Sequence, residues 1–254
     1  MSTSTPETAG AGSSTDPSGP GSSEWSATSA AEDLHRLWVA SQAARPKLRG
    51  WLHAAALPLV VAGGSALTLR VRDRKARAGL FAFGGGYSAM LAASASYHRL
   101  PRSERQAHWL RRVDHSMIYV AEAGTVTPLA LLLLPPPLAG TVIGAAWTAA
   151  GVGAVLKMTR LNKERHGGSW LYLAIGWSAL AMAPLVYKRG GRQALAAMAA
   201  GGVLYSGGFA VLATKRPDPV PDVFGYHELW HSLVLAAGLC HAEMLRRIVI
   251  GESD

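Results

Sequence analysis

Long apolar runs, separated by short clusters of charge, occupy the chain from residue 51 onward. They cover 51–69, 78–97, 113–134, 138–156, 169–187, 193–213 and 224–250, and several lack the polar residue in every turn that a helix in water presents on its exposed face. Each run is close to the roughly 20 residues that a helix needs to cross about 30 Å of hydrocarbon. Lipid offers no partners to backbone N–H and C=O groups, so spanning segments of this kind must be helical. The pattern predicts an all-α fold, a bundle of seven transmembrane helices over 51–250. Pro135, Pro136 and Pro137 separate the third run from the fourth. Glycine pairs such as Gly63–Gly64 and Gly207–Gly208 suit close helix contacts in lipid. Trp51, Trp109, Trp170 and Trp230 fall near run ends, where interfacial anchors sit.

The first part of the chain reads differently. Residues 1–33 are rich in Ser, Thr, Gly, Pro and Ala, too poor in apolar content to build a core, and are expected to be a disordered tail. No basic start followed by an apolar stretch marks a secretory signal there. Over 34–50, Leu34, Leu37, Trp38 and Val39 stand against Arg36, Arg45, Lys47 and Arg49, the pattern of an amphipathic segment lying at the membrane interface.

Composition strengthens the membrane reading: 49% of residues are hydrophobic and only 16% charged, against roughly 25% charged in a soluble domain. The net charge of +9 does not point to nucleic acid, because the basic residues flank apolar runs instead of gathering on one face. With seven crossings, 15 Lys and Arg fall on the side of the N terminus and 10 on the other. That bias predicts a multi-pass protein of the cell membrane with a cytoplasmic N terminus. The single cysteine, Cys240, excludes an intramolecular disulfide.

Polar residues inside membrane helices are costly, and they mark function. Ser94 and His98 lie four apart at the end of the second run and share a face. Asp114 and His115 open the third run, with Glu122 two turns deeper, and His227 and His231 share a face at the start of the seventh. Seven crossings place the end of the second run and the starts of the third and seventh on one side of the membrane. A lone His or Asp at a helix end is an ordinary interfacial residue. Three histidines converging at one depth instead make an open, catalytic-type zinc site, with a carboxylate nearby to act on water. His227 to His231 also reads H-E-x-x-H, the zincin signature, with Glu228 as general base. A zincin needs a further ligand, and His241 would stand about 15 Å farther along the same helix, so peptide cleavage of that type is disfavoured.

At these residues the chain resembles the hemolysin III family, part of the wider progestin and adipoQ receptor group. The likeness is carried by Ser94-x-x-x-His98, by Asp114-His115-Ser116 with Ala123-Gly124-Thr125-Val126-Thr127-Pro128, by Leu171-Tyr172-Leu173 with Gly176-Trp177, and by Phe224-Gly225-Tyr226-His227-Glu228-Leu229-Trp230-His231-Ser232. It covers about residues 49–250. The resemblance implies seven helices with a cytoplasmic N terminus, His98, His227 and His231 as zinc ligands, Asp114 as the acidic residue acting on water at the zinc, and Ser94 as the serine beside the site. His53 matches an element before the first helix whose neighbours here differ, and Glu122 stands where the family usually has an apolar residue. Two functions remain open. One is a zinc-dependent, ceramidase-like hydrolase of amide or ester bonds in membrane lipids, with Asp114 and Ser94 catalytic. The other is a non-enzymatic cytolysin or receptor-like regulator in which zinc is structural. In either case membrane lipids are the surroundings, and in the first they are substrate.

Overall fold

The computed structural model describes residues 32–33, 36–40, 45–159 and 169–250. Residues 1–31 of the expected tail lie outside them. In a first unit, 1–44, residues 36–40 are helical. The second unit, 45–254, holds the rest of the described chain.

That second unit consists of helices, with no strand among the described residues. They are α1 (Trp51–Arg70), α2 (Arg74–Arg99), α3 (Glu104–Leu133), α4 (Pro136–Met158), α5 (Ser169–Ser178), a 3-10 turn (Ala179–Met182), α6 (Ala183–Thr214) and α7 (Tyr226–Ile250). Two helices begin earlier than their apolar runs because polar residues cap them. The Asp73 carboxylate accepts from the Ala76 amide, and the Ser103 hydroxyl from the Gln106 amide, so α2 and α3 each start with a charged turn. Pro136 starts α4 at a position where its missing N–H costs nothing. Within α6, Gly191 has φ 72° and ψ −174°, which interrupts the helix where the fifth and sixth apolar runs meet.

Four stretches, Trp51–Arg70, Glu104–Leu133, Pro136–Met158 and Ala174–Thr214, are long and apolar enough to cross a membrane by length and composition. The last has 41 residues and contains the Gly191 break. The chain is thus an all-α protein built of membrane-spanning helices. The outer surface is apolar: Leu69 is 77% exposed, Phe81 75% and Leu59 74%. Residues of that kind on the outside need hydrocarbon as solvent. α2 and α7 are less apolar because they carry the histidines and serines that face inward.

α3 lies between α2 and α4, α7 packs along α6, and α1 flanks α2. The largest core cluster, with Leu80, Leu129, Val186, Met198 and Ile248, joins the start of α2 to the ends of α3 and α7. Tyr87, Met90, Leu91, Ala121 and Val234 fill the middle. Trp230 is partly buried and packs against Gly208 of α6. The α2–α3 contact is backbone on backbone: a Cβ added at Gly124 would stand 2.6 Å from the Ala82 carbonyl oxygen. Such approaches drive helix association where lipid removes the hydrophobic effect between helices.

Gly124→Ala is therefore expected to destabilise the bundle by about 1–3 kcal/mol, because a backbone carbonyl cannot swing aside. Gly84→Ala, on the same pair's open side with nothing within 4 Å, should leave the thermal midpoint in detergent unchanged. Equal midpoints for the two variants would refute the close-packing argument.

Candidate metal centre

The site forms where the end of α2, the first turns of α3 and the start of α7 meet. α2 brings Ser94 and His98 inward on one face, α3 supplies Asp114, and α7 supplies His227 and His231; Ser94, His98, Asp114 and His231 are buried and His227 is partly buried. One ligating nitrogen from each of His98, His227 and His231 lies within 4.8 Å of the others. His98 Nε2 and His227 Nε2 are 3.2 Å apart. Two nitrogens on one tetrahedral zinc, each about 2.0–2.1 Å from it, stand roughly 3.4 Å apart. The His98–His227 pair is at the spacing of two ligands on one ion, and the three nitrogens together could hold a metal ion, for which imidazole donors suit a transition metal better than a hard, oxygen-seeking cation.

Ligating histidines usually have the second ring nitrogen held by a hydrogen bond. Here the Nδ1 atoms of His98 and His231 have no such partner, and the rings are held by contacts with other rings. His53, on α1, lies parallel to His231 with centroids 3.9 Å apart and planes at 15°. Tyr97 covers His98 at 4.5 Å. Ser94 and Asp114 are buried neighbours across the α2–α3 contact, and the serine hydroxyl is within reach of the carboxyl as a donor. The structure thus brings all five expected residues to one end of the bundle, three as a cluster of nitrogens and two as a serine–carboxyl pair one turn along α2.

The segment before α1 closes this end. Gly50 sits at φ 78°, open to glycine, and a Cβ there would stand 2.6 Å from His98 Cβ. The Arg99 guanidinium lies over the Trp51 ring at 3.8 Å. Lys47 and Leu48 donate backbone hydrogen bonds to the carbonyls of Asp222 and Val223 in the loop before α7. Arg49 then reaches Glu228 as an ion pair, and Glu228 also accepts from the Gly225 amide at 3.0 Å. This glutamate is fully buried. Each of its oxygens already has a partner, Arg49 or the Gly225 amide, which speaks for a structural role over the general base of the H-E-x-x-H reading. It acts instead as the reciprocal cap of α7, with Asp218 accepting from the Tyr226 amide beside it. Sequence reasoning did not find the Arg49–Glu228 pair. The two residues are 179 positions apart, and the only signal was an acidic residue between two histidines at the start of a membrane helix.

The fold and site together define a multi-pass helical membrane protein with a three-histidine cluster near one end of the bundle. A family profile described as Haemolysin-III related matches residues 41–242, and the chain belongs to that family. It is 32% identical to Hemolysin-3 of Bacillus cereus over 124 residues, 48% of this chain and 53% of that protein. It is also 32% identical to the Hemolysin-3 homolog of Bacillus subtilis (strain 168) over 126 residues, 50% of this chain and 56% of that one. The chain thus spans about half the length of these relatives.

Removing one member of a buried ion pair strands the other charge, at a cost of about 3–5 kcal/mol. Arg49→Met should accordingly lower the thermal midpoint sharply. Adding Glu228→Gln, whose amide oxygen still accepts from Gly225, should restore most of the loss. An Arg49→Met protein as stable as wild type would show that the pair does not hold this end of the bundle together.

Proposed function

We propose that the protein is a zinc-dependent hydrolase of an amide or ester bond in a membrane lipid, in the cell membrane, with its N terminus and metal site on the cytoplasmic side. The observation that carries this reading is the convergence of three imidazole nitrogens within 4.8 Å beside a buried serine–carboxyl pair. His98, His227 and His231 would hold the ion and leave a fourth position open. Zinc bound there lowers the pKa of water to about 7 and polarises a carbonyl.

The chain's own residues do the rest. Asp114 takes the proton of the attacking water at a carboxyl oxygen and returns it to the leaving group. Ser94 holds that carboxyl in one orientation through its hydroxyl, which makes it a positioning residue. His53 fixes the plane of the His231 ring by stacking, and Tyr97 packs at a tilt against His98. The segment 45–50, pinned by Arg49 and Glu228, shields this end from bulk water. The apolar interior of the bundle receives the lipid chains.

The names of the two relatives favour a second reading, a membrane-lytic protein in which the ion is structural. One set of measurements separates the two. Purified wild type should carry zinc at an equimolar ratio and turn over lipids from a broad amide and ester panel. Asp114→Asn should keep the zinc and lose at least about a hundredfold in turnover. His231→Ala should lose the zinc. No turnover by zinc-loaded wild type, together with erythrocyte lysis that Asp114→Asn leaves intact, would overturn the hydrolase in favour of the lytic reading.

A further inference from the structure

A second polar site lies deeper in the bundle and includes none of the five residues above. A cavity of about 110 Å³ opens among α2, α3, α5, α6 and α7. Its walls are chiefly apolar, with Met90, Ile118, Leu129, Leu195 and Met198 among them. Into this space face Glu122, Tyr205 and His241. Glu122 stands eight residues beyond Asp114 on α3, about 12 Å farther from the cluster.

Among the described residues, the Glu122 carboxyl has no hydrogen-bond or ion-pair partner, and neither has the Tyr205 hydroxyl. His241 packs against Tyr205 with centroids 5.5 Å apart, and its Nδ1 is buried without a partner. Tyr205 and Glu122 line the same cavity. By contrast, the other polar groups of the wall are already committed. Thr125 donates to the Ala121 carbonyl, Ser206 to the Gly202 carbonyl, Tyr172 to the His115 carbonyl, and the Trp177 indole N–H to Ser206. No lysine or arginine is among the described lining residues. Burial at this depth disfavours a charged carboxyl unless a cation stands beside it, and His241 is the one titratable base among the described lining residues.

The opening of the cavity shows what kind of cation fits. Trp177 and Leu180 belong to its lining and are also 48% and 50% exposed on the outer, lipid-facing surface. A molecule can therefore place its head in the cavity and leave its tail in the bilayer. A hard metal cation wants about six oxygen ligands, more than one carboxyl and one phenol provide. A fatty acid would set its own anion against Glu122. A neutral chain would leave the carboxyl unpaired. An ammonium group has three N–H donors, which the two carboxyl oxygens of Glu122 and the Tyr205 oxygen can accept.

We propose that this cavity is a binding site for a single-chain aliphatic amine, whose ammonium head pairs with Glu122 and Tyr205 while its tail leaves past Trp177 and Leu180 into lipid. The site requires neither the metal nor any catalytic step.

The test is equilibrium binding of radiolabelled dodecylamine to the wild-type protein in phosphatidylcholine nanodiscs, with empty nanodiscs as baseline. Saturable binding at an equimolar ratio is expected. It should be displaced by unlabelled dodecylamine and not by dodecanol or dodecanoate, and it should be unchanged after zinc is stripped with a chelator. Glu122→Gln, which keeps the shape of the side chain, should weaken binding about tenfold or more, the loss of one charge-assisted contact. Leu195→Trp, which fills the cavity and keeps the carboxyl, should abolish binding. Binding no greater than to empty nanodiscs, equal binding by Glu122→Gln, or equal displacement by dodecanol would overturn the proposal. Because the chelated protein cannot hydrolyse through zinc, its binding result and the turnover result stand or fall separately.

Discussion

Hydrocarbon offers no hydrogen bonds, and that constraint governs this chain at every level. At the level of the backbone it makes each long apolar run a helix, since only a helix satisfies its own amides. At the level of packing it removes the hydrophobic drive between helices, so contacts rest on close backbone approach, as between Gly124 and the Ala82 carbonyl. At the level of side chains it makes each polar group seek a partner within the protein. Ser116, Thr125, Thr127, Ser206 and Ser232 each donate to a backbone carbonyl four residues earlier in their own helix. Those groups solve the problem locally. The histidines at the end of the bundle, and Glu122 deeper in it, do not.

The difference between local and distant solutions separates structure from function here. Arg49 and Glu228 neutralise each other, and in doing so tie the segment before α1 to the start of α7. His98, His227 and His231 have no such release. Their nitrogens point at one another, an arrangement that favours an ion with open coordination. The rings are kept in place by the rings of His53 and Tyr97 and not by hydrogen bonds to the outer nitrogens. Orientation by ring contacts leaves the ring nitrogens available to a metal ion.

Much of the plan was legible in the sequence. Apolar runs of about 20 residues are a direct record of bilayer thickness, so the helices α1 to α7 fall close to where periodicity and length put them. The i, i+4 pairs Ser94/His98 and His227/His231 were readable because helical geometry alone places such pairs on one face. Membrane topology then put α2's end and α7's start on the same side. Even the division of the long apolar stretch after residue 169 was visible as a basic cluster, and the helix breaks there at Gly191.

Other features were settled only when the helices packed. Sequence periodicity carries no information about which residue of α1 meets which residue of α7. The stack of His53 on His231, the Arg49–Glu228 pair and the seating of Trp230 on Gly208 therefore had no sequence signature. The same holds for Glu122, which in the sequence is a solitary acid in a membrane helix. Only the assembled bundle shows that it shares a cavity with Tyr205 and His241 and that no described cation reaches it. What the sequence determined was the set of helical elements, because bilayer thickness and helix geometry act along the chain. What the tertiary structure decided was which polar groups meet, because in lipid a buried charge or imidazole is resolved by partners that are distant in sequence.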